Sequence, residues 1–270
     1  YTQELLDAEI NYAAYAGIDY WAYCWYPIKN TMETARNLHV TSKLRDKVKR
    51  CAILGVKPFG EAERAQLVGY FKETFYKKGQ RGRPLVYFFE VKKTLALITA
   101  IQKDCEAQGI PLPYFASMSV MATGIDAISA YAMGHSGGAT FNKLTQMAAS
   151  KWQVNKNDGQ QIIPLITTGW DNRPRWDNPV SWHKVTEDSW CKTGTANEIV
   201  SHVKEGIQWT NDNVGSTLAN TVLIYAWNEH DEGGWLCPTV QVDGNGNVMK
   251  IGGVNLINTE RIDALHRAKN

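Results

Sequence analysis

Along the chain, short and nearly continuous apolar runs alternate with longer stretches whose apolar positions recur every three or four residues. The short runs are Ile18 to Trp25, Arg50 to Leu54, Leu85 to Phe89, Pro113 to Ser117, Ala127 to Tyr131, Ile162 to Thr167 and Thr221 to Trp227. They lack the strict alternation of a strand with one wet face, which is the expectation for parallel strands covered on both sides. Helical patterns fill the intervals at Thr31 to Lys49, Glu61 to Lys78, Val91 to Gln108, Thr140 to Lys151 and Thr195 to Asn213. A further helix is predicted over residues 3 to 15, and Thr259 to Lys269 closes the chain. This is the order of repeated βα units around a parallel sheet.

Punctuation supports these divisions. Thr195 with Glu198 three positions on is a capping-box pattern. Gly109, followed closely by Pro111, is a helix stop. Val240 to Val248, with Asp243-Gly244-Asn245-Gly246 at its centre, reads as a hairpin. The stretch from Asp171 to Thr193 has no periodicity and is too long for an ordinary connection; long loops in compact α/β domains usually carry function. No repeat, linker or low-complexity segment divides the chain, so residues 1–270 read as one domain.

The expected fold is α/β, a (β/α)8 TIM-type barrel, for which about 250 residues is usual. The strand candidates are one short of eight. The helix over residues 3 to 15 asks for a strand ahead of it, so the first strand is expected upstream of residue 1 or missing from the chain. A doubly wound open sheet is the alternative, although no GxGxxG or P-loop sequence follows any strand.

Composition narrows the function classes. The 44% hydrophobic and 21% charged content is that of an ordinary globular protein. The longest apolar runs, Leu95 to Ile101 and Thr221 to Trp227, fall short of the roughly 20 residues of a spanning helix. A net charge of +2 with short, mixed basic clusters at Lys43 to Arg50 and Lys77 to Arg83 speaks against nucleic acid as a partner. The five cysteines have no CxxC or Cys/His metal spacing, and their odd count leaves the redox compartment open. His135 and His183 lack ligand partners at metal spacing, so no metal or cofactor is expected. Gly134-His135-Ser136-Gly137-Gly138 is not the GxSxG of a nucleophile elbow. The chain shows no export signal.

Aromatic content is the one anomaly. Ten tryptophans and twelve tyrosines are many for this length, and several cluster at Tyr20 to Tyr26, at Trp170, Trp176 and Trp182, and at Trp227 and Trp235. Core packing accounts for part of this. Those at strand ends, beside Gly, Asn, Asp and Pro, fit platforms for sugar rings.

Catalytic groups of a (β/α) barrel sit where strands end. Those positions hold Trp25 and Tyr26, Glu90, Ser117, Tyr131, Gly169 to Arg173 (with Trp170 and Asp171), and Asn228-Glu229 with Glu232. The last is the sharpest. Apolar Leu223 to Trp227 runs straight into Asn228-Glu229-His230-Asp231-Glu232-Gly233-Gly234-Trp235. Carboxylates so close repel, and a raised pKa on one prepares a general acid near neutral pH. Glycoside hydrolysis uses such a pair. An isolated ExxE is more often a charged surface loop; the flanking aromatics and glycines favour a site.

With these residues in view, the sequence resembles the glycoside hydrolase family 99 and family 71 group, including the related domain labelled a glycosyltransferase of O-antigen synthesis. The resemblance rests on Ala16 to Tyr26, on Gly169 to Arg175, and on Trp227-Asn228-Glu229 with Glu232-Gly233-Gly234. It implies a second, a seventh and an eighth barrel strand at those places, and an α-linked glycan or polysaccharide as substrate. It implies that Glu229 acts as base on a sugar 2-hydroxyl and Glu232 as acid/base at the glycosidic oxygen, with retention through a 1,2-anhydro sugar. It also implies a secreted, periplasmic or cell-surface location. His230-Asp231 and Trp235-Leu236-Cys237-Pro238 depart from the mannan-cleaving pattern. Expected substrate contacts are Trp25, Tyr26, Glu90, Trp170, Asp171, Arg173, Trp227, Asn228, His230, Asp231 and Trp235. A glycosyltransferase-related protein of polysaccharide assembly, or a glycan-binding barrel without catalysis, are the alternative functions.

Overall fold

The computed structural model describes residues 1–55, 59–91 and 95–269. Helix α1 (Gln3–Ala16) begins where the Thr2 hydroxyl accepts from the Leu5 N–H, and it stops at Gly17, whose φ of 87° suits only a residue without Cβ. Strands β1 (Tyr20–Cys24), β2 (Lys49–Leu54), β3 (Leu85–Phe88), β4 (Tyr114–Ser117) and β5 (Ala127–Ile128) then form one parallel sheet in chain order. Strands β6 (Leu165–Thr167) and β7 (Leu223–Tyr225) form a second parallel pair. A parallel bridge between Ile128 and Ile162, with the Ile163 N–H donating to the Ile128 carbonyl at 2.9 Å, carries β5 over to the approach of β6.

Helices α2 (Thr34–Thr41), α3 (Glu61–Tyr70), α4 (Leu95–Ala107), α5 (Phe141–Asn157), α6 (Arg173–Asp177), α7 (Ala196–Asp212) and α8 (Glu260–Lys269) complete the α/β architecture. At the far side β1 and β7 meet through side chains. Tyr20 Oη donates to the Val222 carbonyl at 3.3 Å, and Trp21 lies against Trp227 with ring centroids 5.4 Å apart. No backbone ladder joins β1 to β7 among the described residues.

Among the described residues, two of three apolar clusters explain why the strands read as unbroken runs. One packs β2, β3 and β4, including Leu54, Val86 and Phe115, against Leu67, Ile98 and Ile101 of α3 and α4. The other gathers Leu144, Trp152, Ile166 and Ile199 from α5, β6 and α7. Among the described residues no helix is long and apolar enough to cross a membrane.

Several element boundaries differ from the sequence expectation, each for a local reason. The helix expected over Thr31 to Lys49 ends at Thr41, because Ser42 turns the backbone out and its hydroxyl accepts from the Leu44 N–H while donating to Asp7. The helix expected over Glu61 to Lys78 ends at Tyr70. Phe75 and Tyr76 turn inward, and the Arg50 N–H donates to the Phe75 carbonyl at 2.9 Å, so this segment runs beside β2. The helix expected from Val91 is seen from Leu95, its intervening start lying outside the described residues. α5 runs beyond Lys151 to Asn157, where Trp152 and Asn155 are buried. The run Ala127 to Tyr131 is strand only over Ala127–Ile128. The cysteines are all free thiols.

Candidate active site

The end of β7 positions the chemistry. Thr168 Oγ1 and the Thr168 N–H both donate to the Tyr225 carbonyl, at 2.7 and 2.8 Å, tying β7 to the end of β6. The chain beyond does not open into a loop. Strands β8 (Asn228–Glu229) and β9 (Gly234–Trp235) pair antiparallel, with a turn of 3-10 helix over His230–Glu232 at the tip. The N–H groups of Leu236 and Cys237 both donate to the Trp227 carbonyl at 2.9 Å and close the base. The ExxE is therefore a pinned hairpin, which brings both glutamates to one acidic centre.

The loop after β6 clasps this hairpin. The Asp171 N–H donates to the Glu232 carbonyl at 2.7 Å. Gly169, at a φ of 152°, passes so close to Gly233 that a Cβ on it would collide with the Gly233 carbonyl oxygen. Gly233, at a φ of 73°, faces the Asp171 backbone in return.

Arg175, on α6, stands at the electrostatic centre. Its Nε donates to Asp231 at 2.7 Å, its Nη1 pairs with Glu232, and its Nη2 lies 4.0 Å from Glu229. The same Nη1 donates to His183 Nδ1 at 2.9 Å, which assigns the His183 proton to Nε2. Burial opposes the arginine charge, but Asp231, Glu232 and Glu229 outweigh it and hold Arg175 above the usual arginine range.

The two glutamates sit in different surroundings. Glu232 is buried; one oxygen meets Arg175 and the other accepts from the Tyr225 hydroxyl. Glu229 is half-buried and accepts from Tyr131 Oη at 3.1 Å. Burial, reinforced by the charges of Glu232 and Asp231, raises the Glu229 carboxyl above the ordinary glutamate range despite Tyr131 and Arg175. Burial also pushes the Tyr131 and Tyr225 phenols far up, so both remain donors. Cys24, 3.8 Å from Tyr131 Oη, is pushed up to about 11 by burial and stays a neutral thiol.

A cleft of about 2000 Å³ opens at this centre and extends along the line between β1 and β7. Tyr26, Glu90, Trp170, Trp227, Asn228 and Asp231 line it together with Glu229 and Glu232. Other sequence-predicted contacts lie elsewhere. Trp25 is buried, with the Arg36 guanidinium 3.8 Å above its ring, because alternate residues leaving β1 face opposite ways and Cys24 and Tyr26 take the cleft side. Asp171 and Arg173 pair with each other at 2.6 Å, and Arg173 covers Trp190. His230 lies against Cys237 Sγ at 3.3 Å, and Trp235 is covered by Arg261 at 3.7 Å.

The sequence pattern assigns no site role to Arg175, His183 or Tyr225, and marks Tyr131 by its place alone. Tyr131 was visible as a polar residue at a strand end. Arg175 and His183 lie in the aperiodic stretch, where no spacing marks them. Among the described residues no cluster of His, Cys, Asp and Glu could hold a metal ion.

Comparison with known proteins agrees at the level of fold. No family model matches the chain, and no curated protein does either. Among solved structures, the GH99 endo-alpha-mannosidase from Bacteroides thetaiotaomicron in complex with BIS-TRIS-propane superposes with a TM-score of 0.58 at 14% identity, over 99% of this chain and 82% of that one. A second structure of the GH99 endo-alpha-mannosidase from that organism gives 0.56 at 14% identity, over 99% and 78%. The chain thus shares the α/β fold of these structures. Identity this low speaks for the fold alone.

Proposed function

We propose that residues 1–270 form one (β/α)-barrel domain, open between β1 and β7, that hydrolyses an α-linked glycan with Glu229 and Glu232 as its catalytic carboxylates. The observation that carries this reading is their unequal setting at one strand end. Arg175 and Tyr225 hold Glu232, whereas Glu229 has a single phenol donor and a raised pKa.

A retaining cleavage through a 1,2-anhydro sugar needs one proton shared between two carboxyls. Glu229, the carboxyl whose surroundings favour the protonated form, donates to the glycosidic oxygen. Glu232, ion-paired to Arg175, takes the proton of the 2-hydroxyl as that oxygen attacks the anomeric carbon. These roles exchange those the resemblance implies. Tyr131 and Tyr225 orient the two groups, and Trp170 and Tyr26 offer faces to the sugar.

Glu229→Gln and Glu232→Gln are each expected to lower reducing-sugar release from a panel of α-linked polysaccharides by about a thousandfold, the scale of lost general acid or base catalysis. An aryl glycoside with a good leaving group should restore turnover to Glu229→Gln and not to Glu232→Gln. Restoration of the other variant would reverse the two roles. Undiminished turnover in both would sink the hydrolase reading.

A further inference from the structure

Trp182 is 78% exposed, the most solvent-exposed of the large apolar side chains among the described residues. A single exposed apolar residue is unremarkable on most surfaces. This one lines the cleft that holds Glu229 and Glu232. The turn that bears it is tied to the site. Val180 and His183 pair antiparallel, leaving Trp182 near the tip of a tight turn. His183 at the base of that turn accepts from Arg175 at 2.9 Å, and Arg175 grips Asp231 and Glu232. The turn that carries Trp182 is thereby tied, through His183 and Arg175, to Asp231 and Glu232.

Other aromatic residues line the cleft as well. Tyr26 and Phe89, from the ends of β1 and β3, line the same cleft, and Phe89 is 41% exposed. The cleft that holds the acidic centre thus offers apolar faces from Trp182, Tyr26 and Phe89, and hydrogen-bonding groups from Glu90 and Asn228. A ligand that matches this mixture has units with an apolar C–H face and a rim of hydroxyls.

We propose that Trp182 is a stacking platform for a sugar unit lying beyond those that flank the cleaved bond, so that the site takes an extended oligo- or polysaccharide and not a disaccharide. The substrate class rests on the glycan-hydrolase reading above; the platform itself is tested by binding. Trp176 is the internal control, since it lies on the same long segment, is 47% exposed and does not line the cleft.

The experiment is affinity electrophoresis of the whole chain through gels containing α-mannan, α-glucan or α-galactan, with thermal melts to verify folding. Trp182→Ala is expected to weaken retardation by the polysaccharide that binds the wild type by about tenfold, the scale of one lost aromatic stack. Trp182→Tyr should regain most of it, and Trp176→Ala should match the wild type. On oligosaccharides of two to six units cut from that polymer, Trp182→Ala should raise KM for the longest and leave the shortest unchanged. Equal retardation of Trp182→Ala and wild type, an equal loss in Trp176→Ala, or no retardation of the wild type in any gel overturns the platform. Retardation that depends on Trp182 without any reducing-sugar release leaves the platform standing and removes the hydrolase reading instead.

Discussion

Glu229 and Glu232 are the same residue type three positions apart, and only their neighbours make them different. The sequence showed the pair because an apolar strand runs directly into it. It did not show which of the two is paired with a cation, because Arg175 reaches the site from an aperiodic segment, 57 residues before Glu232. His39 shows the same dependence on surroundings away from the site. It is fully buried, with Nε2 2.9 Å from the Val48 carbonyl and Nδ1 3.1 Å from Tyr23 Oη, which fits a neutral ring protonated on Nε2. Burial, helped by the Arg50 charge, lowers its pKa from 6.5 to about 4. Between those values the unfolded chain binds a proton that the folded chain refuses, so the stabilisation is complete above the ordinary histidine pKa and is lost as pH falls towards about 4. Urea melts should show a loss on the order of 3 kcal/mol from this residue across that window. His39→Gln should flatten the slope, and an unchanged slope in that variant would dismiss His39 as its source.

At the level of elements, the parts that were legible are those whose local pattern agrees with their burial. β2, β3 and β4 are apolar throughout because both faces are covered, and α7 begins with the capping box of Thr195 and Glu198. α2 and α3 were over-extended because helical periodicity does not register the turn at Ser42 or the burial of Phe75 and Tyr76. The hairpin of β8 and β9 leaves no mark in the sequence, since two-residue strands carry no periodic signal. That hairpin is clasped at a point where two glycine backbones leave no room for Cβ. Gly169→Ala should therefore displace Gly233 and, with it, the carbonyl of Glu232 that receives the Asp171 N–H. The expected cost is about 2 kcal/mol in a urea melt, from overpacking and a strained φ, with a loss of turnover larger than that cost accounts for. Full turnover and an unchanged melt would show that the clasp yields freely.

At the scale of the whole molecule, the superposition on the GH99 endo-alpha-mannosidase at 14% identity fits a fold specified by pattern: parallel strands need apolar, well-filled positions more than particular residues. The strand order was legible for that reason. How β1 and β7 face each other was not, because closure depends on register between residues about 200 positions apart, which no local pattern encodes. The line between them has a consequence for how the protein breathes. In a parallel strand successive residues turn their peptide groups to alternate sides; Leu223 faces β6 and Trp25 faces β2 through their N–H donors, so the amides of Ala22, Cys24 and Ile224 point into the open line. Protection from hydrogen exchange should therefore be lowest at Ala22, Cys24 and Ile224 and should rise around the sheet to Val86 and Phe115, which are fully buried on β3 and β4. Uniform protection across all these amides would mean that the line is sealed in solution. Graded protection would place the easiest local opening of the fold directly beneath the hairpin that carries Glu229 and Glu232.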